Sequence, residues 1–228
     1  MQSYVLGVRT MPTVLDNSEI LTLADMMNRL GGVPLDRIRF KPSPGTAVEQ
    51  DVIDLHDRER RLFELVEGVL IEKTYGLLES VVTVKLIRYI SDHVENHDLG
   101  IVLGADAAMR FAPGLVRMPD VSVVFWNRLP GRRIPREPIP ELVPDLAVEV
   151  ISLSNTRAEI NRKIEEYFVA GANQVWTVDP RELTVTVYQS SSTFTTLTGT
   201  ESISRGDLLP GFDLRIDELF RRAGVLQD

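Results

Sequence analysis

The sequence predicts an α/β fold around one mixed central sheet, and three observations predict it. From residue 77 onward the order reads helix, three strands, helix, strand. One of those strands, Leu146-Ala147-Val148-Glu149-Val150-Ile151, is apolar on both faces except for a single carboxylate, as a strand covered on both sides must be. The chain has 228 residues, 43% of them hydrophobic and 25% charged. That suits one domain with a sizeable core and excludes collagen-like, disordered and disulfide-stapled classes.

Taken in order, residues 1–60 read as an N-terminal extension with a short helix near Leu21–Leu30, stopped by Gly31-Gly32 and followed by the loop KPSPGTA. The denser domain spans 61–228. It begins with a hairpin, RLFELVEGVLIEK, that turns at Glu67-Gly68. Leu78, Val82, Leu86, Tyr89, Ile90, His93 and Val94 recur at helical spacing, which predicts a helix from about Leu78 to Asn96. GIVLGADAAMRF and PDVSVVFW are read as one strand each, DLAVEVIS as the third, and Asn127 to Pro144 as a Pro/Arg-rich connector. The next helix carries three signals: Thr156 and Glu159 suit a capping box, Ile160, Ile164 and Phe168 form an apolar stripe, and Gly171 suits the C′ position. QVWTVDP and LTVTVYQ are strands either side of an Asp179-Pro180 turn, and LLPGFDLRIDELF ends in a short helix.

Composition narrows the chemistry. Zero cysteine excludes thiol catalysis, thiolate metal sites and disulfides, and three scattered histidines (His56, His93, His97) do not suggest a metal set or a triad. No apolar run reaches the ~18–20 residues that span a bilayer, and the first 20 residues lack a leader pattern, so a cytoplasmic protein without a membrane partner is expected.

Three residues break local rules. Glu149 is a carboxylate inside the doubly buried strand, where it is expensive unless paired or bound to a metal. Asp120 opens the strand VSVVFW and shares a face with Ser122 and Val124, opposite Val121, Val123 and Phe125. Lys163 falls at a core-facing position of the stripe Ile160, Ile164, Tyr167, Phe168. Glu79, near the inward face of its helix start, is a weaker fourth, where an acid also suits the macrodipole. Two carboxylates and a lysine suit phosphodiester hydrolysis: hard oxygens hold Mg²⁺ or Mn²⁺, the metal activates water, and the lysine offsets charge. Glycoside hydrolysis also uses carboxylate pairs but favours an aromatic-lined cleft, and aromatics are only 7%.

Pro119-Asp120, then Glu149, then a nearby lysine resembles the restriction-endonuclease-like superfamily, whose motif is PD-(D/E)XK. More closely, FELVEG, RMPDVSVV, VPDLAVEVISLSN, RKIEEYFVAGANQVWTVDP and LPGFDLRIDELF, over about residues 61–220, are similar to the Uma-two family of that superfamily. The resemblance implies a restriction-endonuclease-like core, a Mg²⁺- or Mn²⁺-dependent endonuclease, Asp120 and Glu149 as metal ligands, Lys163 as catalytic lysine, and DNA ahead of RNA as partner, with a homodimer as the assembly. The superfamily's usual lysine position, two residues after the glutamate, is Ile151 here, so the lysine sits on the following helix instead. Where family members often carry a histidine near the start of the first core helix, this chain has Glu79, a candidate third acid. Glu64, in FELVEG, also matches a family position and is read as structural. A catalytically silent nuclease-fold module for binding or assembly is the competing reading.

The net charge of −8 argues against high-affinity, non-specific coating of nucleic acid. The one net-positive stretch is 128–163, at +2, whose connector carries Arg128, Arg132, Arg133 and Arg136. These arginines are candidates for a phosphate-contacting loop beside the site.

Overall fold

The structure, a computed structural model, describes residues 22–204 and 208–226; the leader-free reading of the first 20 residues lies outside that range. In chain order it contains α1 (Leu23–Arg29), α2 (Glu49–Glu59), β1 (Phe63–Val66), β2 (Val69–Glu72), α3 (Leu77–Asn96), β3 (Gly100–Leu103), β4 (Met109–Ala112), β5 (Leu115–Arg117) and β6 (Val121–Phe125). Then follow β7 (Leu146–Val150), α4 (Arg157–Ala170), β8 (Gln174–Asp179), β9 (Thr184–Tyr188), β10 (Phe194–Thr198), β11 (Ser202–Ile203), β12 (Leu214–Arg215) and α5 (Ile216–Arg222). Among the described residues no helix is long and apolar enough to cross a membrane.

The central sheet has six strands in the order β10-β9-β8-β7-β6-β3. It is mixed because β7 and β8 run parallel while the other pairs are antiparallel. Parallel neighbours need a long crossover, and α4 lies in it. Strand alternation sorts the side chains by face. Val121, Val123, Leu146, Val148 and Val150 join the cluster under α3 and α5. Val124 and Ala147 join the opposite cluster, with Ile160, Ile164 and Tyr167 of α4.

A second sheet corrects the expectation of a single one. GIVLGADAAMRF is not one strand: Gly100–Leu103 pairs with β6, whereas Met109–Ala112 crosses into a four-stranded antiparallel sheet, β2-β1-β5-β4. The polar, glycine-containing break at 104–107 lets the chain leave one sheet for the other. This second sheet carries the FELVEG hairpin and packs on the α4 side of the central sheet.

Residues 22–60 pack onto these layers. Met26, Leu30 and Val33 are buried in the α4 cluster, and Val52 of α2, a mostly polar helix, is buried against Phe63, Leu65 and Leu70. Arg37 grips the start of α4 through paired 2.9 Å bonds to Glu159. That contact corrects the capping box: Thr156 caps the Glu159 N–H at 3.0 Å, but the Glu159 carboxylate turns to Arg37. Gly31 has φ +80°, and a Cβ there would sit 2.7 Å from the Glu159 nitrogen. Gly31→Ala is therefore expected to lose more than about 1 kcal/mol of stability through conformational strain alone. Chemical denaturation checks this, and an unchanged midpoint would contradict it.

Candidate active site

The pairing of β6 with β7 ends at Val121 opposite Val148, which leaves Asp120 and Glu149 side by side at adjoining strand ends. Glu149 points to the α4 side, where Lys163 and Tyr167 meet it, and Asp120 lies near enough to push the Glu149 carboxyl up. Asp120 is locked at the strand edge: its N–H donates to the Val148 carbonyl at 2.9 Å, and its Oδ2 accepts the Val150 N–H at 2.7 Å.

Lys163, on the inward face of α4, reaches the same point. Its ammonium lies 3.2 Å from Glu149 Oε2 and 3.2 Å from Glu64 Oε2. One turn on, Tyr167 donates a short hydrogen bond from its hydroxyl to Glu149 Oε1. The inward stripe of α4 is thus Ile160, Lys163, Ile164 and Tyr167, with Phe168 only partly buried. Three of the residues singled out by sequence (Asp120, Glu149 and Lys163) come together.

Two further charged groups join them from the second sheet. Glu64 of β1 is 1% exposed and is held by Arg117 at 2.7 Å, by the Met118 N–H at 3.1 Å and by Lys163. Lys73, just past β2, lies 2.9 Å from Asp120 Oδ1. Neither was legible as a site residue: Glu64 reads as a hairpin carboxylate, and Lys73 as an ordinary solvated lysine at a strand end. The signal that could have found Glu64 is its place among Phe63, Leu65 and Val66, all buried.

Electrostatics separates the two glutamates. Burial pushes the Glu149 carboxyl upward; Lys163 pulls it back, and Asp120 pushes it up again, leaving it above the usual carboxylate range. For Glu64 burial also opposes ionisation, but Lys163 and Arg117 together outweigh it and hold the carboxyl below that range. Lys163 and Lys73 resist burial because the carboxylates around them hold their protons, so both are raised. A lowered folded-state Glu64 carboxyl adds stability that is fully present above the unfolded value of about 4.3 and is lost as pH falls through the folded value. Acid unfolding followed by circular dichroism should therefore show wild type losing stability below that pH more steeply than Glu64→Gln. Parallel curves would contradict the assignment.

The remaining candidates have other partners. Glu79 sits in the first turn of α3 with its carboxylate taken by Arg181 at 2.7 Å, and among the described residues no ion pair or hydrogen bond ties it to Asp120, Glu149 or Lys163. The arginine connector is also displaced, a correction to its expected place beside the site. It leaves the end of β6 and enters the start of β7, whereas Asp120 and Glu149 lie towards the other ends of those strands, about 16 Å and about 10 Å along them at 3.3 Å per residue. Arg128 is used by Asp145 at 2.8 Å and by the Gly171 carbonyl at 2.7 Å, Arg132 by Asp98 at 2.7 Å, and Arg133 and Arg136 are exposed.

A mixed sheet covered by helices on both faces, with an acidic pair on adjoining strand ends and a lysine on the crossover helix, defines a restriction-endonuclease-like α/β protein. The chain belongs to the Uma2 family, described as putative restriction endonuclease, whose profile matches residues 49–217. Among solved structures it is similar to a protein from Anabaena variabilis ATCC 29413 described as a putative nuclease belonging to DUF820. That similarity has a TM-score of 0.64 and 22% identity, and covers 71% of this chain and 91% of that one. No curated protein matches the chain. Family and fold together point to a restriction-endonuclease-like nuclease.

Proposed function

We propose that the protein is a metal-dependent endonuclease that hydrolyses phosphodiester bonds of DNA, with water as the nucleophile. One observation carries the reading: two carboxylates from neighbouring strands and a buried lysine from the crossover helix converge on one face of the central sheet.

The donor chemistry fits a hard divalent cation. The acids are carboxylates without thiolate or imidazole, and Asp120 and Glu64 both push the Glu149 carboxyl up, a crowding of like charge that a cation relieves. Among the described residues no three His, Asp or Glu side chains form a ready ligand set, so the protein's share is the Asp120–Glu149 pair. Mg²⁺ is commonly held by one or two carboxylates, with water and phosphate completing its shell. Bound there, Mg²⁺ or Mn²⁺ would supply a water of lowered pKa and offset charge on the reacting phosphate.

The chain's own residues supply the rest. Lys163 keeps its proton, so it acts as a donor and a positive charge rather than as a base. Tyr167, whose hydroxyl proton is also held by burial and by Glu149, fixes the Glu149 carboxylate without competing for the nucleophile's proton. The family's description as a putative restriction endonuclease supports DNA as the substrate. Cutting both strands calls for two such centres, so a homodimer and a cytoplasmic location belong to the same reading. Calorimetric titration with Mn²⁺ tests it: wild type should bind and Asp120→Asn should not, whereas no binding by wild type contradicts the metal-dependent reading.

A further inference from the structure

The scheme above leaves one buried cation of the cluster without a role. Lys73 is held on three sides, by Asp120 Oδ1 at 2.9 Å, by the Ala105 carbonyl at 3.2 Å and by a short bond to the Met118 carbonyl. Its side chain is 7% exposed. Its ammonium lies 5.3 Å from the centre of the half-exposed Tyr75 ring. Burial pulls against its charge, but Asp120, Glu149 and Glu64 outweigh burial and hold its proton more firmly than usual.

The two oxygens of Asp120 are not equivalent. Oδ2 is committed to the Val150 N–H at 2.7 Å, a bond that also fixes the strand end. Oδ1 is the oxygen facing a cation, and Lys73 holds it. Glu149 is different: Lys163 spans both its oxygens at 3.2–3.3 Å and is shared with Glu64, so it can lean towards Glu64 when Glu149 takes another partner. Among the described residues no second side-chain carboxylate pairs with Lys73 in that way.

Resting on the metal-dependent reading, we propose that Lys73 and a divalent cation compete for Asp120 Oδ1, so that Lys73 sets the cation affinity of the site. Uptake of the cation frees the Lys73 ammonium from Asp120. Lys73 is a positioning residue in this scheme: it acts on the reaction through Asp120.

The role predicts a gain where a structural role predicts a loss. Removing a unit positive charge a few ångströms from a bound cation should tighten binding about tenfold or more. In calorimetric titrations with Mn²⁺ alone, folded Lys73→Met should bind Mn²⁺ at least about tenfold more tightly than wild type. If wild type binds and the variant binds equally or more weakly, the competition is overturned while the metal-dependent reading stands. If wild type does not bind at all, that reading falls and the competition with it. Should Lys73→Met not fold, wild type alone decides: its Lys73 should be acetylated several-fold faster by acetic anhydride with Mn²⁺ than without, relative to exposed Lys41. An unchanged or slower rate at Lys73 overturns the proposal.

Discussion

Glu149→Gln is expected to leave the fold standing while lowering DNA-nicking activity at least about 100-fold, the scale on which a single protonic or electrostatic group contributes to such a reaction. The two halves of this result have different causes. Burial holds the Glu149 carboxyl above its ordinary range, so the folded state favours its neutral form. Above the raised folded value the charged carboxylate weighs against stability, and a neutral amide of the same shape removes that burden. Lys163 keeps Glu64 as a partner at 3.2 Å, and the amide oxygen can still accept from the Tyr167 hydroxyl. The thermal midpoint should stay within about 3 °C of wild type or rise, since a kcal/mol moves it about 2–4 °C in a chain of this size. A carboxylate kept only for its ion pair would give the opposite pattern, a lower midpoint with no activity to lose.

The largest stability effect is expected at Arg117. It is 2% exposed and clamps Glu64 at 2.7 Å and Glu166 at 2.5 Å. Glu166 in turn bonds Arg162, and Arg162 pairs with Glu67, so one guanidinium ties β5 to β1 and to α4. Arg117→Met removes the charge and leaves Glu64 buried with Lys163 as its remaining ion-pair contact among the described residues. Breaking a buried pair in this way costs about 3–5 kcal/mol, which is roughly a 10 °C fall in the midpoint. Lys163 should also be drawn towards Glu64 and away from Glu149, so activity falls even in the folded fraction. Thermal unfolding followed by fluorescence of Trp176, buried in the core, measures the first effect; a shift below about 3 °C would contradict it.

What the sequence disclosed follows from what a local pattern can hold. Asp120, Glu149 and Lys163 stand out because each interrupts an apolar pattern of known period, and strand alternation with pairing then carries both acids to one face. Helix α4 was legible from its cap, its stripe and Gly171. Contacts between segments distant in sequence were not legible. Lys73 meets Asp120 from 47 residues away, across two sheets, and nothing in EKTYG marks it as buried. The second sheet was hidden because GIVLGADAAMRF is apolar enough to pass for one strand, whereas the chain breaks after Leu103 and its two halves take different partners. Helix α2 was missed because EQDVIDLHDRE is mostly polar and buries little beyond Val52. The arginine connector misled for a related reason: charge summed along the chain places residues in sequence, while β6 and β7 carry that loop and the acidic pair to opposite strand ends.

Conversion of supercoiled plasmid DNA to the open-circular form tests the central claim most directly, with wild type, Asp120→Asn, Glu149→Gln and Lys163→Met compared at equal folded concentration. The account predicts nicking by wild type in Mg²⁺ or Mn²⁺, its loss on chelation, and its loss in all three variants. Nicking that survives in Asp120→Asn and Lys163→Met, or no Mn²⁺-dependent nicking by wild type on any DNA form, would contradict it and favour a catalytically silent module of the same fold.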